Sequence, residues 1–168
     1  MEEKIHGRAW VLGDNVNTDD LHPPSFYSTD TERMKEGILA GVKNVDAFPG
    51  EDIDTREMII VAGENFGCGS SRETSVRALL ASGVHGIIAR SFARIFYRSM
   101  VNLTLPPFVC DTIQSSIQSG DSLEILPLER KVQINNERIF QLSPVDIHFQ
   151  RILEAGGLTE YLSKEMDS

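Results

Sequence analysis

The chain has 168 residues and a net charge of -9, with 40% hydrophobic and 24% charged residues, which is length enough to bury a core without disulfide or metal staples. The acidic balance argues against nucleic acid and an anionic membrane surface as partners, and no apolar run approaches the roughly 18 residues of a bilayer-spanning helix. Met1-Glu2-Glu3-Lys4 lacks a basic stretch followed by an apolar one, so no signal peptide is expected; two cysteines, Cys68 and Cys110, are too few for a disulfide framework and point to a reducing, cytoplasmic setting.

In chain order, residues 8–12 read as a strand and 13–20 as a polar turn region whose Asn and Asp side chains hydrogen-bond nearby backbone. Pro23-Pro24 makes 21–27 irregular or extended. Thr31 is placed to cap a short helix over 32–40, ended by Gly41, and 42–57 read as a loop with at most one helical turn. Met58-Ile59-Ile60-Val61-Ala62 is a buried strand. Val76, Leu79 and Leu80 recur at helical spacing within 75–82, with Gly83 as the stop. Residues 84–89 form the next strand. Phe92, Ile95, Phe96 and Met100 mark a second helix, and Phe108-Val109-Cys110 a third strand. The order over 58–110 is βαβαβ, which predicts a parallel core. Beyond it, 113–119 read as a short helix, and 123–126, 131–134 and 138–142 as strands. Asn135-Asn136 makes a hairpin turn. Ser143 and Pro144 are placed to open a helix carrying Ile147, Ile152 and Leu153, and 158–162 form a helical stub. No internal repeat or interdomain linker is visible.

The most informative stretch is Asn65-Phe66-Gly67-Cys68-Gly69-Ser70-Ser71-Arg72-Glu73. Set between a buried strand and a helical pattern, it reads as a tight glycine turn opening a helix, where backbone N–H groups are free to meet an anion. Ser70 and Ser71 add neutral donors, and Arg72 adds a planar fork that matches a carboxylate. A carboxylate and a phosphate both suit such a place. The spacing is neither that of a phosphate-binding GxxxxGK[ST] loop nor that of a GxSxG nucleophile elbow. Glu73 is placed to pair with Arg77 four residues on.

Residues 72–98 carry five arginines, Arg72, Arg77, Arg90, Arg94 and Arg98, against Glu73 alone. This basic island in an acidic chain suits a small anion or an acidic partner surface; the plainer reading is solvated helix faces with salt bridges. Cys68 near a helix start has the setting of an activated thiol; the plainer reading is a small packed cysteine. Four scattered histidines and two lone cysteines make no metal-ligand pattern. His85, within a strand, reads as structural. Asp19, Asp20 and His22 lie close together in the early loop, either facing a ligand or forming an Asx-type turn. Phe92, Phe96 and Tyr97 read as core packing.

Taken together, Asn17-Thr18-Asp19-Asp20, the stretch Asn65–Glu73, Ser91-Phe92-Ala93-Arg94-Ile95-Phe96-Tyr97-Arg98 and Leu105-Pro106 resemble the small subunit of 3-isopropylmalate dehydratase and the related homoaconitases, a unit that also forms the mobile C-terminal domain of single-chain aconitases. The resemblance covers nearly the whole chain. It implies an α/β fold, the swivelling β/β/α domain of the aconitase C-terminal type, over 1–168 as one unit closing over a larger subunit. That partner would carry the [4Fe–4S] cluster, whose iron acts as a Lewis acid on the leaving hydroxyl, and this chain would bind no cluster by itself. The implied reaction is dehydration or isomerisation of a hydroxy di- or tricarboxylic acid, 3-isopropylmalate/2-isopropylmalate foremost, in leucine biosynthesis, with homoaconitate, citrate or an alkylated malate as alternatives. By the same resemblance Ser70 is the catalytic base, Ser71, Arg72 and Gly69 bind substrate, and Asp19, Asp20, Arg94 and Arg98 support the site or, for the two arginines, meet the partner. Two positions depart from the family's pattern: Thr74 stands where histidine usually follows Arg-Glu, and Leu21–Tyr27 lacks an arginine often found there. The segment Phe26 to Arg33 takes the place that reads the substrate's variable group. A non-catalytic anion-binding module and a phosphate-binding domain are the competing classes.

Overall fold

The computed structural model describes residues 4–28, 30–38, 40–41, 58–69 and 73–166. Seven strands form one mixed sheet: β1 (Ile5–Val11), β2 (Met58–Ala62), β3 (Val84–Ala89), β4 (Pro107–Val109), β5 (Ser122–Leu126), β6 (Lys131–Ile134) and β7 (Arg138–Gln141). The helices are α1 (Thr18–Leu21), α2 (Thr31–Glu36), α3 (Glu73–Ala81), α4 (Arg94–Asn102), α5 (Ile147–Ala155) and α6 (Leu158–Met166). The strand order is β4-β3-β2-β1-β5-β6-β7. β1 to β4 are mutually parallel, whereas β5 runs antiparallel to β1 and continues as an antiparallel meander. The expected βαβαβ core is therefore β2-α3-β3-α4-β4.

β2 explains why the chain folds around this point. All five of its residues are buried, and their alternation sends them to opposite faces. Met58, Ile60 and Ala62 join a cluster with Val76 and Leu79 of α3 and Phe96 and Met100 of α4. Ile59 and Val61 join a second cluster with Ile88, Phe108, Leu123, Ile125, Val132 and Ile134. That second cluster is lined by strands from β1 to β6, so the sheet curls over its own inner face while α3 and α4 cover the outer one. The chain leaving β7 returns to the opposite edge, where the Ser143 N–H donates to the Val109 carbonyl at 2.8 Å. A strand buried on both faces reads as a continuous apolar run, as 58–62 does.

Several boundaries differ from the sequence-based expectation. The polar turn region ends in a helical turn, α1, capped by Asn17, whose side chain accepts from the Asp19 N–H at 2.9 Å. Asp30, not Thr31, caps α2, which ends at Gly37 rather than Gly41. A Cβ at Gly37 would run into Phe26, so the chain turns where glycine alone fits. Asp146, not Ser143, caps α5, because Ser143 is still bonded to the sheet edge. The expected helix over 113–119 is a single 3-10 turn, Gln114–Ser116. Phe92 precedes α4 instead of lying on it. The loop expected over 42–57 lies outside the described residues.

Candidate functional site

The carboxyl ends of β1, β2 and β3 lead into three segments that are laced together by backbone. Beyond β1, Asn15 donates to the Glu64 carbonyl at 2.8 Å, Thr18 donates to the Cys68 carbonyl at 2.8 Å, and the Val16 carbonyl accepts from Gly67 at 2.9 Å. Beyond β3, the Ser91 carbonyl accepts from Phe66 at 3.0 Å, and Ala93 donates to the Phe66 carbonyl at 2.9 Å. Side chains complete the lacing. The Ser91 hydroxyl accepts from the Asn65 N–H at 2.8 Å, the Asn65 amide donates to Asn15 Oδ1 at 2.9 Å, and Asp14 Oδ1 accepts from the Glu64 N–H at 2.7 Å. Asn15 and Asn65 both hold positive φ, 54° and 55°, which asparagine tolerates better than most residues. The three sequence motifs are thus brought to one end of the parallel strands, where α/β sheets commonly place their ligands.

The two glycines have separate reasons. Gly67 (φ +77°) presses on the Phe96 ring, and Gly69 (φ +97°) presses on the Asn17 amide; a Cβ at either would collide with that side chain. The glycine turn is therefore clamped between α4 and the cap of α1. Its phenylalanine is fixed in the same way: Phe66 is fully buried and meets Phe92 and Phe96 edge-on at centroid distances of 6.0 and 5.6 Å. Phe96 lies in the core and Phe92 packs against it, as read from the sequence, whereas Tyr97 is half-buried outside both clusters and meets Phe92 at 5.7 Å and Phe149 of α5 at 5.4 Å. Burial, with Asp146 nearby, raises the Tyr97 phenol above its ordinary pKa.

Ser70, Ser71 and Arg72 lie outside the described residues, between Gly69 and the start of α3 at Glu73. Around them, the basic island divides. Arg77 pairs with Glu73 at 3.4 Å as expected, and Arg90 pairs with Glu64 at 3.0 Å. Arg94 and Arg98 are exposed and have no such pairing among the described residues. Both line an open cleft of about 580 Å³ together with Asn65, Gly67, Gly69, Ala93, Ile95 and Phe96. The structure therefore brings the two arginines to the glycine turn.

Asp19 and Asp20 sit half-buried on α1, tied to the same turn through the backbone of Thr18 but not lining that cleft. Asp19 accepts from the Tyr27 hydroxyl at 3.5 Å, and the Asp20 carbonyl accepts from Gly41 at 3.1 Å. His22 is fully buried beside Tyr27, with ring centroids 5.2 Å apart. Burial lowers its pKa, against a smaller opposing effect of the Met34 backbone. Cys68 is half-buried with its thiol 3.2 Å from the Asn15 carbonyl. His85 lies at the amino end of β3, level with the start of β2, so the two stand at opposite ends of the sheet. Cys110 is buried in the inner core. Among the described residues no group of three or more His, Cys, Asp or Glu is placed to hold a metal ion, and no helix is long and apolar enough to cross a membrane.

Ser91 and Asn15 escaped the sequence reading as organisers of the site. Asn15 carried one usable signal, an asparagine next to Gly13-Asp14, where left-handed backbone is common. Ser91 carried none by itself; its role depends on Asn65 arriving from another strand.

Known proteins are similar to this chain in sequence and fold. The sequence model of the aconitase C-terminal domain matches residues 11–112. The small subunit 1 of 3-isopropylmalate dehydratase from Methanopyrus kandleri is 40% identical over 98% of this chain and 96% of its own length. A homoaconitase small subunit from Methanocaldococcus jannaschii is 41% identical over 95% and 92%, and the isopropylmalate/citramalate isomerase small subunit of that organism is 37% identical over 99% and 98%. A crystal structure of 3-isopropylmalate dehydratase from Methanocaldococcus jannaschii superposes with a TM-score of 0.84 at 38% identity, covering 97% of this chain and 95% of the other. The chain belongs to the aconitase C-terminal domain family, among the small subunits of the isopropylmalate dehydratase and homoaconitase hydro-lyases.

Proposed function

We propose that residues 1–168 act as one swivelling unit in the cytoplasm, completing the active site of a larger, cluster-bearing subunit that dehydrates or isomerises a hydroxy di- or tricarboxylic acid, 3-isopropylmalate/2-isopropylmalate foremost. The observation that carries this reading is the glycine turn, clamped at the carboxyl ends of the parallel strands and leading directly into Ser70-Ser71-Arg72. The [4Fe–4S] cluster belongs to the partner in this reading: this chain's two cysteines stand 42 positions apart, one in the turn and one buried in the inner core, and do not suit a cluster's thiolate set.

In this chain, Ser70 takes the proton from the carbon next to a substrate carboxylate. A neutral serine is a weak base, so its oxygen needs donors, a nearby cation and exclusion of water. The Gly69 N–H is a donor, those of Asn65, Phe66 and Gly67 being spent on the clamp, and Arg72 is the cation. Arg72 also holds the carboxylate through its planar fork, with Ser71 as a further donor. Asp19, Asp20, Arg94 and Arg98 act from around this centre. Thr74, in place of the family's histidine, has a buried hydroxyl with no hydrogen-bond partner among the described residues. It therefore brings no ring nitrogen to the proton's route.

A second substrate reading has a specific observation behind it. The homoaconitase relative matches at 41% identity, against 40% for the isopropylmalate dehydratase relative, so homoaconitate and citramalate-type acids stand beside isopropylmalate. The segment from Phe26 to Arg33 is the place for that choice.

The test is an anaerobic substrate screen of this chain reconstituted with a cluster-bearing large subunit, the cluster verified by its absorbance. Turnover of one of these acids is expected. A loaded complex inert toward malate and citrate analogues would leave an anion-binding module instead, and tight binding of phosphoesters without affinity for dicarboxylates would favour the phosphate reading.

A further inference from the structure

Arg94 and Arg98 stand four residues apart on α4, so their side chains are neighbours on one helix face, where like charges repel. Arg94 also occupies the first helical position, where the helix dipole disfavours a cation. The first turn of α4 holds no acidic residue, and its N-cap, Ala93, makes no side-chain cap bond. In a chain of net charge -9, Arg77 and Arg90 have found carboxylates while this pair has none among the described residues. An unneutralised double charge in an unfavourable place is relieved by an anion from outside. The concave surface it lines, about 580 Å³ and shared with Gly67 and Gly69, has the size of a metabolite site. That favours a small acid over a flat acidic protein surface.

We propose that Arg94 and Arg98 form a second carboxylate seat. The seat takes one carboxylate of a di- or tricarboxylate on α4, in the cleft shared with Gly67 and Gly69. Ile95, 59% exposed between the arginines and lining the same cleft, is the apolar contact for the carbon skeleton. This proposal rests on the reading of the site as one for hydroxy polycarboxylates.

The test uses the reconstituted two-subunit complex with Arg94→Gln, Arg98→Gln and Arg98→Lys. Equilibrium binding is measured for succinate and for its monoamide, succinamate, alongside steady-state kinetics and the affinity between subunits. Wild type should prefer succinate over succinamate by about 10-fold or more, the effect of one hydrogen-bonded charge. Each Gln variant should lose that preference, with KM rising more than kcat falls, and Arg98→Lys should recover part of it. Equal weakening of both ligands, loss of subunit affinity at unchanged KM, or no change would each overturn the seat; the second would reassign the pair to docking. A complex without hydratase activity would remove the enzymatic reading, yet a succinate preference that the Gln variants abolish would still establish the seat. No succinate preference in wild type would overturn it.

Discussion

The two halves of the sheet solve the same connection problem in opposite ways. In the antiparallel half, β6 and β7 are joined through Asn135 and Asn136, both at positive φ, a geometry that matches the strand twist. The turn is then satisfied within the same half, by the start of β5. Asn135 accepts from the Ser122 N–H at 2.9 Å and donates to Asp121 at 2.8 Å, and Asp121 accepts from the Gln118 N–H at 2.9 Å. In the parallel half, each strand must hand over to a helix. The handover after β2 spends its backbone on clamping to its neighbours, and the handover after β3 opens into α4, whose Arg94 and Arg98 have no counter-charge among the described residues. Turns that close on themselves hold the fold; turns that open into helices leave groups over for a ligand.

The largest expected effect tests whether the halves are one structure. Ile60→Ala removes a fully buried side chain beneath α3 and α4 and should cost about 2–5 kcal/mol, read as a lower urea midpoint. β2 serves both cores, so tryptophan fluorescence and far-ultraviolet dichroism should report one shared transition. Two separated transitions would mean that the halves are independent. A smaller effect sharpens the functional side. Gly67→Ala forces a Cβ against the Phe96 ring at positive φ and should cost about 1–3 kcal/mol, with activity of the complex falling further than stability. Unchanged activity would detach the clamp from the site.

The smallest effect belongs to the antiparallel half. Burial opposes ionisation of Asp121, but the bonds from Asn135 and Gln118, with Arg138 nearby, outweigh it and hold its carboxyl below the ordinary value. A depressed folded-state pKa contributes stability above the unfolded-state value and loses it as pH falls through the folded one. Asp121→Asn should therefore lower stability at neutral pH by less than about 1 kcal/mol, given its solvent exposure. Denaturation midpoints should show that deficit shrinking at acid pH, with activity untouched.

Where local pattern and tertiary role agree, the sequence was readable. The run 58–62 is apolar throughout because both faces of β2 are buried. The Asn135-Asn136 turn follows from two residues of a type that tolerates positive φ. The glycine motif announced a tight turn, although not which neighbours require each glycine: Phe96 for Gly67 and Asn17 for Gly69 come from elsewhere in the chain. Helix starts were misplaced where two capping residues competed, as at Asp30 and Thr31, or where a distant contact intervened. Ser143 and Pro144 look like a helix opening, yet the bond from Ser143 to Val109 keeps the chain on the sheet until Asp146. The basic island was visible as composition, but its division into paired Arg77 and Arg90 and, among the described residues, unpaired Arg94 and Arg98 depends on where Glu64 and Glu73 fall in space.

The most direct test of the account is Ser70→Ala in the anaerobically reconstituted complex, with cluster content matched to wild type. Loss of a general base should lower kcat by about 10²–10⁴-fold while substrate binding stays within a few-fold. Turnover close to wild type would show that the proton leaves by another route and that the segment after Gly69 is not the catalytic centre.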